Sequence, residues 1–267
     1  MKRLIYFLGT ILFITSLVFV GLYLRENWSG TIQIPLTSLA ISSVLYSLTH
    51  FTTSLSWMSI LRATGNELPF KSGIAINMVS QAAKYIPGNF AHHLGRAFLA
   101  KEIGLPLKVS AYVLPIEIGC VCFASLLVGG FLFSYWISIA CFAALAALLL
   151  TGYRKYVFPI LSLAFGLLLA GISLAILVDE PRAIAAYSIA WLIGFLLPGA
   201  PAGIGVREVA LVALLEKSIS PEILASAIIV HRLLTAAVDG LIAAIAYFVT
   251  LASIQRRAAK KEPTIGK

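Results

Sequence analysis

Residues 81–104 read QAAKYIPGNFAHHLGRAFLAKEIG, crowding a Lys, two adjacent His and an Arg around a Pro-Gly pair in a chain that is otherwise mostly apolar. The surroundings set the class. Of the 267 residues, 60% are apolar and 12% charged, with a mean hydropathy of +0.96, and several runs exceed what a bilayer crossing requires. A polytopic all-α membrane protein is predicted. Its first run, Leu4 to Leu24 behind Lys2 and Arg3, is too long for the apolar part of a cleavable leader and is predicted as a retained span. Cys120, Cys122 and Cys141 fall inside apolar runs without metal-ligand spacing and are predicted as small packing residues.

Division at charge-bearing breaks predicts six full spans, near 4–24, 36–61, 109–133, 134–152, 156–178 and 223–253, within one transmembrane domain over 1–255. Two segments, 72–100 and 183–215, are left over, and Pro and Gly interrupt both. Their uninterrupted runs, 72–83 and 206–216, are too short at about 1.5 Å per residue to cross a core of about 30 Å. Re-entrant hairpins are therefore predicted; replacing each by a pair of full spans would keep every loop on the same side. In either form thirteen Lys and Arg fall on one face and only Arg25, Arg182 and Lys217 on the other. This bias places both termini, and the basic tail 256–267, in the cytoplasm. The net charge of +9 follows from topology, and no loop is long enough to carry a nucleic-acid patch.

The two broken segments resemble each other. Pro87-Gly88 precedes Arg96 and Pro198-Gly199 precedes Arg207 at the same interval, an offset of 111 residues throughout. Three full spans lie between them, so the second unit enters from the opposite face, as in an inverted-topology repeat whose broken helices mark a transport site near the midplane. Non-helical backbone at that depth needs protein or water as its hydrogen-bonding partner, which predicts a polar cavity. In PGAPAGIGVRE, residues 198–208, small residues lead into a helix start carrying Arg207 and Glu208, an arrangement suited to an anion. The first copy offers Lys84, and then His92, Gly95 and Arg96 on one helical face.

Glu117, Glu208, His231, Arg232 and Asp239 add ionisable groups within apolar surroundings, where such groups face a partner or a pathway. Plainer readings stand beside these. Lys84 and Arg96 snorkel to the interface, Glu208 pairs with its neighbour Arg207, and Arg232 and Asp239 tie spans together. Adjacent His92 and His93 are a poor metal signal, so neither metal nor cofactor is expected. Trp28, Trp57, Tyr153 and Tyr156 near span ends read as interfacial belt residues.

KYIPGNFAHHLGRAFLAKEIGLP, together with GFLLPGAPAGIGVREVALVALLEKSISPEILASAIIVHRLLT, resembles the paired hallmarks of the lysylphosphatidylglycerol synthase transmembrane-region family of flippase-like proteins. The matching positions are Lys84, Tyr85, Pro87, Gly88, Gly95 and Arg96, then Gly203, Gly205, Arg207, Glu208 and Arg232. The resemblance implies lipid handling. Members fused to an aminoacyltransferase flip aminoacylated phosphatidylglycerol, and stand-alone members are associated with glycolipid, polyprenyl-linked or hopanoid traffic. Only a short basic tail follows Ser253 here, so the stand-alone form is expected, without lipid synthesis of its own.

The expected function is thus a lipid translocase of the inner membrane. The expected binding residues are Lys84, Pro87, Gly88, His92, Arg96, Gly203, Gly205, Arg207, Glu208 and Arg232, with Glu117 and Asp239 as carriers of a coupling proton. Membrane lipids are the expected partners, with lipid- or glycan-synthesis enzymes as further candidates. The alternatives are a lipid-modifying enzyme using His92 or His93, which lacks HExxH and any Asp-rich metal motif, and a non-transporting subunit of an envelope-assembly complex.

Overall fold

The computed structural model describes residues 2–27, 34–85, 91–197 and 201–251. Pro87, Gly88, Pro198, Gly199, Trp28 and the tail 256–267 lie outside them. The chain is all-helical, 87% of it, with no strand among the described residues. Among the described residues ten α-helices follow in order: α1 (Lys2–Asn27), α2 (Leu36–Ala63), α3 (Phe70–Gln81), α4 (Ala91–Glu102), α5 (Leu107–Gly129), α6 (Tyr135–Leu149), α7 (Val157–Val178), α8 (Arg182–Leu196), α9 (Val206–Leu215) and α10 (Pro221–Ala246). Among the described residues, three stretches are long and apolar enough to cross a membrane: Leu107–Leu132, Arg154–Val178 and Pro221–Thr250.

Prolines and capping residues set the starts. α2, α3 and α5 each follow a Pro in extended conformation, and Ser220 caps α10 by accepting from the Ile223 amide at 3.5 Å, with Pro221 and Glu222 in the first turn. The end of α4 is closed by Gly104 at φ +99°, followed by Pro106, which cannot continue the helix.

Both leftover segments are broken helices. The first is α3 and α4, twelve residues each, separated by a 3-10 turn at Ala82–Tyr85; the second is α8 and α9, of fifteen and ten residues, separated by a turn at Pro201–Gly203. The halves of each pack on one another, and the two turns touch. The other boundaries differ in two places. α6 has fifteen residues, about 22 Å of helix, less than the span expected at 134–152. α2 has the length of a span, but serine and threonine dilute its apolar character.

That dilution has a packing reason. α2 and α7 cross at the centre of the molecule, with α5 and α8 against α7 and with α3 and α10 against α2. Lipid supplies no hydrophobic drive between helices, so the crossing relies on small side chains and hydroxyl-to-carbonyl bonds. Ser42 donates to the Ser173 carbonyl at 2.8 Å, Ser56 to Pro159 at 3.0 Å, and Ser162 to Thr52 at 2.8 Å. α7 approaches α8 so closely at Gly171 that a Cβ there would stand 2.6 Å from the Ile184 carbonyl oxygen. Backbone cannot yield as a side chain can. Gly171→Ala is expected to cost roughly 1–3 kcal/mol by thermal unfolding in detergent. Gly119→Ala, with open space around its Cβ position, should be neutral or slightly stabilising.

Two apolar cores result. One gathers Trp57, Ile60, Ile76, Val113 and Leu163, the other Leu174, Leu177, Leu211, Leu215 and Leu224. Polar side chains gather around the broken helices between them.

Candidate functional site

Three buried ionic clusters surround the two turns. The first is centred on Arg96 of α4, which is 6% exposed. Its guanidinium grips Glu117 of α5 in a fork, Nη1 donating at 2.9 Å and Nη2 making a closer contact. Nη1 also donates to Asn77 of α3 at 3.0 Å, and Nη2 to His93 Nδ1 at 3.0 Å, which makes that nitrogen the acceptor. The guanidinium plane lies 4.6 Å above the Trp57 ring. Trp57 is only 2% exposed, so it serves as a floor for this cation and not as the interfacial belt residue expected from its position. Arg96 does not snorkel.

The second cluster converges on Asp239 of α10, a carboxylate with no exposed surface. Lys84 Nζ stands 2.7 Å from Oδ2, and the Tyr85 hydroxyl donates to the same oxygen at 2.5 Å. The Tyr46 hydroxyl of α2 donates to Oδ1 at 3.2 Å, and His50 Nε2 lies 3.0 Å from Oδ1, a contact distance without the alignment of a hydrogen bond. Lys84, expected to bind ligand and on the plainer reading to snorkel, ties the first turn to α10.

The third cluster lies at the second turn. Arg232 of α10 forms a close ion pair with Glu208 of α9 through Nε, and its Nη atoms approach the carbonyls of Ala202 and Gly203 at 3.4 Å each. Glu208 therefore pairs across to α10, not with its neighbour Arg207 as one reading held. Left-handed backbone at Ala202, Gly203 and Gly205, with φ of 51°, 69° and 84°, folds the chain back tightly enough to present those carbonyls. Gly203, one of the expected binding residues, gives its carbonyl to Arg232 and leaves room for Arg207. A Cβ on Gly203 would stand 2.7 Å from Arg207 Nε, and one on Gly194 2.6 Å from Arg207 Cγ. The Arg207 side chain thus threads a slot between two glycines.

Arg207 differs from the other three cations. Its guanidinium lies 5.3 Å over the Trp191 ring, and its Nε is buried without a hydrogen-bond partner. No carboxylate among the described residues pairs with it. Glu208 Oε2 is likewise buried and unpartnered. Both side chains line a narrow cavity of about 20 Å³, together with Tyr187, Trp191, His231, Arg232 and Thr235 and apolar walls from Leu174, Ala190, Leu211 and Ile228. A second cavity, about 80 Å³, is lined by Lys84, His50, Tyr46, Thr49, Thr53 and Gln81 and shares Tyr187 and Trp191 with the first. A third, about 240 Å³, opens beside Arg96 between α4 and α5 and has mainly apolar walls.

The sequence-derived residues thus fall into three groups. Arg96 and Glu117 share the first cluster; Lys84 and Asp239 share the second; Arg207, Glu208, Gly203 and Arg232 share the third, with Gly205 as the residue before α9. His92 stands beside the first, its ring 3.9 Å from that of His93, closer than neighbouring helical positions suggest. A row of rings, His93 to Phe195 at 6.0 Å and Phe195 to Trp191 at 5.0 Å, connects the Arg96 cluster to Arg207. Tyr46, His50, Asn77, Tyr187 and Trp191 complete the clusters without having been singled out in sequence. Part of that set was readable: Ser42, Tyr46, His50 and Ser54 recur every fourth residue as a polar stripe on a helix, and all are buried. Comparison with protein-family models and with curated proteins finds no match.

Proposed function

We propose that the chain is a lipid translocase whose headgroup site is the cavity at Arg207, between two broken helices that enter the membrane from opposite faces. The observation that carries this reading is a half-buried Arg207 with no carboxylate partner, its Nε buried without a hydrogen bond, in the wall of a cavity lined by both polar and apolar side chains. A cation at membrane depth is costly unless an anion accompanies it, and a passing phosphate is such an anion.

The architecture proposed is six spans plus two re-entrant hairpins, with α2–α5 and α7–α10 as inverted copies and both termini cytoplasmic. The pattern of neighbours supports it. α5 packs on α7 and α8, and in the same way α10 packs on α2 and α3, as exchange of the two units about a pseudo-twofold axis requires. α6 and α1 hold matching places, against α5 and α10 respectively. The resemblance to the lysylphosphatidylglycerol synthase transmembrane-region family points the same way. In this reading rocking of one unit against the other opens the cavity to each face in turn. Arg207 follows the headgroup charge, while the Lys84–Asp239 and Arg232–Glu208 pairs hold both turns to α10.

The test is flux. Fluorescent phosphatidylglycerol is placed in liposomes containing the purified chain, and its exposure to an outer-leaflet quencher is followed. Arg207→Gln is expected to lower the protein-dependent rate by at least about tenfold, the scale of one lost charge-assisted contact, without changing gel-filtration behaviour. Unchanged flux removes Arg207 from the mechanism.

A further inference from the structure

The clusters can be counted as charges. Lys84, Arg96, Arg207 and Arg232 contribute four positive charges, and Glu117, Glu208 and Asp239 three negative ones, so these Lys, Arg, Asp and Glu side chains sum to an excess of one positive charge. Three cations are matched one to one by the carboxylates that touch them. The excess resides on Arg207.

From this balance we infer that the Arg207 cavity is built for a ligand group bearing a single negative charge, a phosphodiester, and discriminates against phosphomonoesters and pyrophosphates. One phosphodiester brings the centre to neutrality. A group with two or more charges overshoots, and it does so beside Glu208, a residue of the same cavity wall whose buried Oε2 has no hydrogen-bond partner. Two carboxylate-like charges in such a space repel strongly because the walls at Leu174, Ala190, Leu211 and Ile228 offer little screening. Glu208 therefore acts as a specificity residue: its bound oxygen holds Arg232, and its free oxygen excludes extra negative charge while accepting a hydrogen bond from a hydroxyl or ammonium of the incoming group. The phosphodiester's source, lipid headgroup or free anion, rests on the translocase reading above.

Binding separates the two questions. The full chain in uncharged detergent micelles is titrated with dihexanoyl phosphatidylglycerol, dihexanoyl phosphatidic acid, farnesyl pyrophosphate and chain-free glycerophosphoglycerol. Tryptophan fluorescence is the readout, with Trp191→Phe as the blank. The phosphatidylglycerol Kd is expected to be the lowest and to rise at least about tenfold in Arg207→Gln. Arg207→Lys, which keeps the charge, should retain part of the affinity and so separates lost charge from lost fold. Glu208→Gln should shift preference toward the two-charge ligands. Tighter binding of phosphatidic acid or pyrophosphate than of phosphatidylglycerol in the unmodified chain overturns the inference, as does a Glu208→Gln profile identical to the original. Glycerophosphoglycerol matching the lipid, or phosphatidylglycerol binding without flux, leaves the charge rule standing and counts against translocation.

Discussion

Asp239→Ala is expected to destabilise the protein by roughly 3–5 kcal/mol, the range for a buried ion pair that loses one partner. Asp239 has no exposed surface, and four side chains from two other elements converge on it: Lys84 and Tyr85 of the first turn, Tyr46 and His50 of α2. Removing the carboxylate strands the Lys84 ammonium, only 15% exposed, with the neutral Tyr46 hydroxyl oxygen as an acceptor at 3.2 Å but no compensating charge. Asp239→Asn keeps the shape but not the charge, so it should fall nearly as far. The paired replacement Lys84→Met with Asp239→Leu removes the stranded charge and should recover most of the loss. Thermal unfolding of the unmodified chain, Lys84→Met, Asp239→Leu and the double variant in one detergent gives the coupling, and additive single losses would show that the contact is energetically empty.

An equally large loss is expected for Glu117→Ala. Arg96 then keeps Asn77 and His93 as neutral acceptors and the Trp57 face, but no compensating charge, at a site where it is 6% exposed. Roughly 3–5 kcal/mol is again the scale, and Arg96→Met with Glu117→Leu should restore most of it. The Arg96 and Asp239 clusters share no side chain among the described residues, so the two losses should add within about 0.5 kcal/mol. Large non-additivity would mean that the two clusters act as one network.

How far the sequence carried the fold depended on local signals. Pro-Gly pairs and glycine-rich runs interrupt apolar segments visibly, so both broken helices were legible, with α3–α4 and α8–α9 close to the expected ends. The inward orientation of Arg232 and Asp239 was legible too, because ionisable groups in apolar surroundings face a partner or a pathway. Partner identity was not legible. Arg96 finds Glu117 21 residues on and Asp239 finds Tyr46 193 residues back, distances at which no periodicity speaks. Trp57 was misplaced for a related reason: it lies near a span end, where belts occur, and only tertiary packing puts α3 and α4 over it. The span expected at 134–152 was too long because the apolar run continues through Leu150 and Thr151 after the helix has ended at Leu149.

The most direct measurement is thiol reactivity at Thr235 and Ala190, which line the Arg207 cavity from α10 and α8. Each is replaced by Cys in a chain whose Cys120, Cys122 and Cys141 have been changed to Ala. Membrane-impermeant methanethiosulfonates of opposite charge are then compared, with Leu241→Cys, on an exposed face of α10, as the lipid-facing control. Labelling at both cavity positions, faster with the anionic reagent than with the cationic one and absent at Leu241, is the expected result for a wet centre with one unmatched positive charge. Both positions inert, or the cationic reagent the faster, would contradict it.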